Sequence, residues 1–471
     1  MAHIILITQW TGGDVRPFLR LGTYLKAEGH KITLLTHCIY ESEATELGFE
    51  FCAIDSPAEY ESISRDLHLL ADPIGGRDDY LAFHRKYHGK ERLLREVGLV
   101  EEILRKDGLT ENDLRQEAAK NDVTVIARFR SGISGMLAAE KYHLRYASMI
   151  LAPNYFSHME LHEELFGKAL CEEINSAREA LSLPPINHWK NWLYSPKVIL
   201  CGWPEWYAKR DETWAEGAYP IGFLADPGAV AAHPAGFRRG SGEDRSKTNA
   251  QNCVVITGGS SRMVRKDFYL TAIEACALAD RKGIVVTPFR DYLPEVLPEN
   301  ITHMANVPLT SLLSEASLVI HHGGMGTINE AIDAGIPQII LPHLTDGPDN
   351  ADRLVSLGIG RKFAPKNWDP AVIADTIREM SGSESLKDHC EEIRRQNLES
   401  FRAQSRKEAI KAAEVYRLPE ELLSDQTQQK SKATPASDHT GDPAAPSAPR
   451  KAVSKQMLMQ MVKRNRQKAE A

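Results

Sequence analysis

The stretch Leu318–Gly360 reads LVIHHGGMGTINEAIDAGIPQIILPHLTDGPDNADRLVSLGIG, and its pattern decides the fold. Leu318, Val319 and Ile320 form an apolar run with strand character, which meets His321-His322-Gly323-Gly324 and then a helical pattern from Thr327 to Ala334. Gly335-Ile336-Pro337 stops that helix, and Gln338–Leu341 makes the next strand. Strand, glycine turn, helix and strand in this order build a parallel sheet, so the class is α/β. The turn also carries chemistry. Glycines let a bulky charged group approach the backbone. The helix that follows offers N–H groups and the positive end of its dipole, which suit a phosphate. His322 can donate a hydrogen bond there and Thr327 a hydroxyl, while Glu330, Asp346 and Asn350 can accept from sugar hydroxyls. His321 reads instead as a brace for the turn.

Working outward, Val254–Thr257 is a strand that runs into Gly258-Gly259-Ser260, and further strands fall at Gly283–Thr287 and Ile301–Ala305. Helical patterns follow at Ala371–Glu379 and Leu386–Ala412, the longer able to pack back across both halves of the chain. At the other end, His3–Thr8 is a buried strand, Gln9–Arg16 a glycine-rich turn, and Pro17 opens a helix with Phe18, Leu21 and Leu25 at helical spacing. Strands continue at Lys31–Thr36, Phe49–Ile54, Asp122–Ala127, Ala147–Leu151, Lys197–Leu200 and Tyr219–Leu224. The opening turn lacks a clean GxGxxG, which disfavours a nicotinamide dehydrogenase. This divides the chain into domains at 1–225 and 251–415, a Pro- and Gly-rich linker or exposed loop at 226–250, and a low-complexity tail at 424–471.

The 471 residues suffice for two large domains. A net charge of −7 without a broad basic region argues against nucleic-acid binding. Seven cysteines without paired spacing fit a reducing compartment and no metal site. The chain opens directly on an apolar strand, with no secretory leader pattern and no run of membrane-spanning length, so a cytoplasmic protein is expected. The basic terminal segment, with Met457, Leu458, Met459, Met461 and Val462, leaves a peripheral membrane or protein contact open beside the plainer reading of a solvated tail. Trp189, Trp192, Tyr194, Trp203, Trp206, Tyr207 and Trp214 crowd one stretch. Such rings wall an apolar pocket or pack a core, and both readings stand.

Three segments together resemble the family 1 glycosyltransferases of GT-B type: TGGDVRPFLRLGTYLKAEGH (Thr11–His30), the WLYSP…WPEWYAKRDETW…YPIGF stretch (Trp192–Phe223), and HHGGMGT…EA…AGIPQIILP…D…DNADRL. The second is similar to the branch holding the rhamnosyltransferase subunit of rhamnolipid synthesis. Sterol and glycopeptide glycosyltransferases share the opening motif. The resemblance spans roughly Ala2 to Ala412.

It implies two facing Rossmann-like domains with parallel sheets and an interdomain cleft, the first binding an acceptor and the second a nucleotide-sugar. It implies a UDP- or dTDP-linked sugar as co-substrate, no further cofactor, and a partly apolar small-molecule or lipid acceptor whose hydroxyl attacks with inversion. Asp14 falls on the position of the proposed general base, although it also suits a helix cap. The donor set it implies is Gly12, Gly13, Gly259, Ser260, Asn306, Val307, His322, Gly323, Gly324, Gly326, Thr327, Glu330, Asp346 and Asn350. Tyr155, Trp192 and Trp203 are the acceptor candidates. One position departs: the family's usual glutamine after the aspartate is Gly347, which offers no side-chain amide to the sugar. A nucleotide-sugar epimerase or isomerase, and a non-catalytic nucleotide-binding subunit, are the competing classes.

Overall fold

The computed structural model describes residues 2–70, 76–110, 112–113, 122–224, 253–260, 262–305, 307–342, 346–400 and 404–423. The expected linker, Asn306 and the tail lie outside them.

The first sheet holds β1 (His3–Ile7), β2 (Lys31–Thr36), β3 (Glu50–Ala53), β4 (Val123–Arg128), β5 (Arg145–Ile150), β6 (Ile199–Cys201) and β7 (Ala218–Pro220), in the order β3-β2-β1-β4-β5-β6-β7. The second holds β8 (Val254–Thr257), β9 (Gly283–Val286), β10 (Ile301–Met304), β11 (Leu318–His321), β12 (Gln338–Ile340) and β13 (Gly360–Lys362), in the order β10-β9-β8-β11-β12-β13. Every pairing between named strands is parallel. Helices cover both faces, so the central strands are buried on both sides, which is why β1, β8 and β11 read as continuous apolar runs. In each sheet the strand order reverses once, between β1 and β4 and between β8 and β11. Loops leaving the carboxyl ends of strands at such a reversal form a crevice, because their helices depart to opposite faces.

The first helix departs from expectation. It begins at Gly12, not near Pro17, and runs to Ala27 with Pro17 inside it. The Asp14 carboxylate accepts from the Thr11 N–H at 2.9 Å and from Thr11 Oγ1 at 2.8 Å. That fixes the first turn five residues early, at the cost of the one N–H that Pro17 lacks. The expected long C-terminal helix is two: Glu384–Ser400 and Gln404–Lys411. The first packs on the helix Met325–Ala334, where Asn397 Nδ2 donates to Asp333 Oδ1 at 2.8 Å. After the second, the chain returns to the first domain: Ala409 and Ala413 join its core, and the Tyr146 N–H donates to the Glu414 carbonyl.

Trp192 and Trp203, expected as acceptor contacts, are core residues with no exposed surface. Trp192 packs on Trp189 at 5.6 Å between centroids and under Arg178, which is ion-paired with Glu140 at 2.6 Å. Trp203 meets Trp214 edge-on at 5.6 Å. Rings of this size gain most from full burial, and the density of tryptophan along the chain said nothing about which way each ring faces.

Candidate active site

The carboxyl ends of the two sheets line one cleft of about 1790 Å³. The domains touch around it. Arg20 Nη2 pairs with Glu330 Oε1 at 2.7 Å, Asn329 Nδ2 donates to the Leu224 carbonyl at 3.3 Å, and a Cβ on Gly12 would stand 3.1 Å from Ser260 Oγ.

On the first domain's side, Asp14 stands one turn into its helix. Its Oδ2 is taken by Thr11, and its Oδ1 pairs with Arg128 Nη2 at 2.7 Å. Arg128 ends β4, so the pair bridges the two strands of the first sheet's reversal point. Each carboxylate oxygen has two lone-pair directions, which leaves Oδ1 able to accept from a hydroxyl in the cleft.

On the second domain's side, the turn after β11 is built on His321. It is fully buried, and burial brings its pKa down to about 3, so the ring is neutral. Nδ1 accepts from the Gly323 N–H at 3.1 Å, which leaves the proton on Nε2 to bond Gln338 Oε1 at 3.0 Å. Gly323 has φ +96°, and a Cβ there would lie 2.8 Å from the Gly347 Cα. Asn350 Nδ2 donates to the Gly323 carbonyl at 2.9 Å, and its Oδ1 accepts from Tyr207 at 3.3 Å. Gly323 and Asn350, expected among the donor contacts, are therefore buried braces: their polar groups bond the protein, and neither lines the cleft.

The His322 ring does line the cleft, wedged between glycines. A Cβ on Gly259 would stand 3.1 Å from its Cε1, and one on Gly324 would stand 2.6 Å from its Nε2. Gly324 is the cap residue of the helix Met325–Ala334 and supplies no side-chain cap. The first-turn N–H groups at Met325, Gly326 and Thr327 thus open on the cleft beside His322.

Asp346 caps the following helix, Gly347–Ser356, and lies half-buried at the cleft. Burial, with a smaller contribution from the Asp14 charge, pushes its pKa up to about 6. Gly347 has a packing reason: a Cβ there would come 2.7 Å from the His322 carbonyl oxygen. Glu330 reaches the cleft, but the cross-domain Arg20 pair occupies Oε1.

Of the sequence-derived set, the cleft gathers Gly12, Gly13, Asp14, Tyr155, Gly259, Ser260, Val307, His322, Gly324, Gly326, Thr327, Glu330 and Asp346. Sequence reasoning missed Arg20, Arg128, Arg130 and Tyr80, all of which line it. Arg128 closes β4 and Arg130 stands two residues beyond it, and the reversal-point rule applied to that strand would have found both.

Comparison with known proteins agrees with this geometry. The family described as Erythromycin biosynthesis protein CIII-like, C-terminal domain, matches residues 275–409. The chain is 26% identical to a sterol 3-beta-glucosyltransferase of Komagataella phaffii, over 83% of this chain and 33% of that protein, so it spans about a third of that relative's length. It is 23% identical to the NDP-glycosyltransferase YjiC of Bacillus licheniformis, covering 81% of this chain and 89% of that one. Among solved structures, the glycotransferase of kitacinnamycin superposes with a TM-score of 0.63 at 19% identity, covering 87% of this chain and 97% of that one. The glycosyltransferase VinC in complex with dTDP superposes at 0.61 and 16% identity, covering 87% and 99%.

Two parallel α/β domains whose reversal points face one another across a cleft define the GT-B fold class. Within that class, the relatives the chain is similar to are glycosyltransferases.

Proposed function

We propose that the protein moves a sugar from a UDP- or dTDP-linked donor to a hydroxyl of a partly apolar small-molecule or lipid acceptor, with inversion. The observation that carries this reading is the uncapped start of the helix Met325–Ala334 beside His322, facing the Asp14–Arg128 pair across one cleft. The donor diphosphate lies against the first-turn N–H groups, His322, Thr327 and Ser260, which meet the charge that grows as the bond to the anomeric carbon breaks. The acceptor oxygen attacks that carbon from the opposite face, and its proton passes to Asp14 Oδ1. Arg128 and Thr11 fix the carboxylate so that little reorientation is needed at that moment.

Glu330 accepts from the ribose at Oε2, which has no partner in the protein, while Oε1 stays paired with Arg20. The acceptor class draws support from the relatives named sterol 3-beta-glucosyltransferases and from a spinosyn rhamnosyltransferase solved with spinosyn aglycone. The donor class draws support from the same enzyme solved with thymidine diphosphate.

The test is a screen of nucleotide-sugars with polyketide, sterol and lipid alcohols, scored by nucleoside diphosphate release and product mass, followed by a donor complex. Sugar transfer with the diphosphate beside His322 and Thr327 is the expected result. Conversion of the free donor without an acceptor would establish an isomerase instead.

A further inference from the structure

We propose that the first domain's half of the cleft takes an alcohol that also carries a carboxylate, gripped by Arg130 and His162. This rests on the glycosyl-transfer reading and names the acceptor's second functional group.

Arg130 stands two residues past β4 with φ +66°, a left-handed backbone that disfavours any residue with a Cβ. Such strain persists where the side chain is needed in one place. Its guanidinium lies over the Tyr155 ring at 5.2 Å and donates from Nη2 to the Tyr80 oxygen at 2.7 Å. Among the described residues, no carboxylate lies within ion-pair distance of it. The neighbouring Arg128 is engaged by Asp14, and Arg20 by Glu330.

The hydrogen bonds then run in one direction. Arg130 has only donors, so the Tyr80 phenol accepts from it and passes its own proton toward His162 Nε2, 2.7 Å away. Burial and the Arg130 charge keep His162 neutral. With Nε2 accepting, its single proton sits on Nδ1. That atom is buried and has no hydrogen-bond partner, in a side chain only 7% exposed that lines the cleft.

The result is a cation without an ion-pair partner among the described residues and an N–H without an acceptor, on two residues that line one cleft and share the Tyr80 hydroxyl. Leu67, Leu70, Phe83, Leu161, Leu165 and Phe166 supply the cleft's apolar walls. Donors alone call for a group that only accepts, and a single positive charge matches a monoanion. A carboxylate fits both conditions, whereas a phosphate monoester brings nearly twice the charge.

The experiment uses the full chain and matched acceptors: a hydroxy-steroid acid and an ω-hydroxy fatty acid, each beside its methyl ester. Binding is titrated without donor, and turnover is followed by nucleoside diphosphate release. The acids should bind and react about ten- to a hundredfold better than their esters, as expected for a hydrogen-bonded charge. Arg130→Gln should bring that ratio close to one. So should Arg130→Gly, which suits the left-handed backbone and removes folding as an explanation, while Arg130→Lys should restore part of the preference. Equal use of acid and ester by the unaltered protein, or a ratio that survives both substitutions, would overturn the proposal. If no acceptor gives nucleotide release, the transfer reading fails, and the binding titration still decides whether a carboxylate is recognised.

Discussion

The two helices that point into the cleft start differently. The helix Gly12–Ala27 carries its own anion, since Asp14 turns back onto Thr11 and pairs with Arg128. The helix Met325–Ala334 begins at Gly324, a cap residue that supplies no side-chain hydrogen bond to its start. Both follow a strand at the reversal point of a parallel sheet, so the module is the same and only its filling differs. A helix start that supplies its own carboxylate repels a phosphate and presents a base. An empty one favours an anion from outside. On the proposed reading, the different tasks of the two halves follow from what stands at the head of each helix, Asp14 in one and Gly324 in the other.

The sharpest way to break this contrast is Asp14→Asn. Turnover should fall about a hundred- to ten-thousandfold, with donor affinity nearly unchanged by calorimetry. A variant with near-normal turnover and only a lowered melting temperature would make Asp14 a cap and nothing more. Next in size is Gly323→Ala. Its left-handed φ and the 2.8 Å approach to Gly347 put a methyl group where the turn has no room. A loss of about 2 kcal/mol or more in unfolding free energy is expected, together with weaker donor binding, because the turn aims the empty helix start.

His322→Ala sharpens the same comparison. It should weaken donor binding by about ten- to a hundredfold, the value of a hydrogen bond to a charged group, and leave acceptor binding alone.

The smallest effect concerns pH. Burial holds the Asp346 pKa up to about 6, with Asp14, Arg128 and Asp349 the charges around it. The carboxyl is neutral below that value and ionises above it. A raised carboxylate pKa means that the folded state holds its proton longer than the unfolded chain does, so this group's contribution to stability falls as pH rises from about 4 to 6. Donor affinity should fall in the same direction, a few-fold between about pH 5 and 7, as Asp346 comes to repel the diphosphate. A nucleotide-sugar has no phosphate titration in that window. Asp346→Asn should flatten this component of the profile, and a profile unchanged by that substitution would remove Asp346 from the donor site.

Much of the second domain's cleft wall was legible from sequence because it is local. His322, Gly324 and Thr327 lie within six consecutive residues of a strand–turn–helix unit, where chain geometry alone fixes which groups face the helix start. His321, read as a brace, is the last residue of a buried strand. Gly323 and Asn350 were misread because they share that segment but face inward, and a recurring motif holds bracing and binding residues alike. Pro17 misled in another way: it suits a first turn, yet the Thr11–Asp14 contact starts the helix earlier and tolerates it.

The sequence by itself determined a pair of parallel α/β domains and a glycine turn after Leu318–His321, because strand burial and glycine turns act over a few residues. Only the tertiary structure decided what surrounds that turn. Arg128 reaches Asp14 from 114 positions along the chain, and Arg20 meets Glu330 across 310. Trp192 and Trp203 turned into the core, while Arg130 and His162 turned toward the cleft. Charge pairing and ring burial are settled by which distant surfaces come together, and residue type does not specify that.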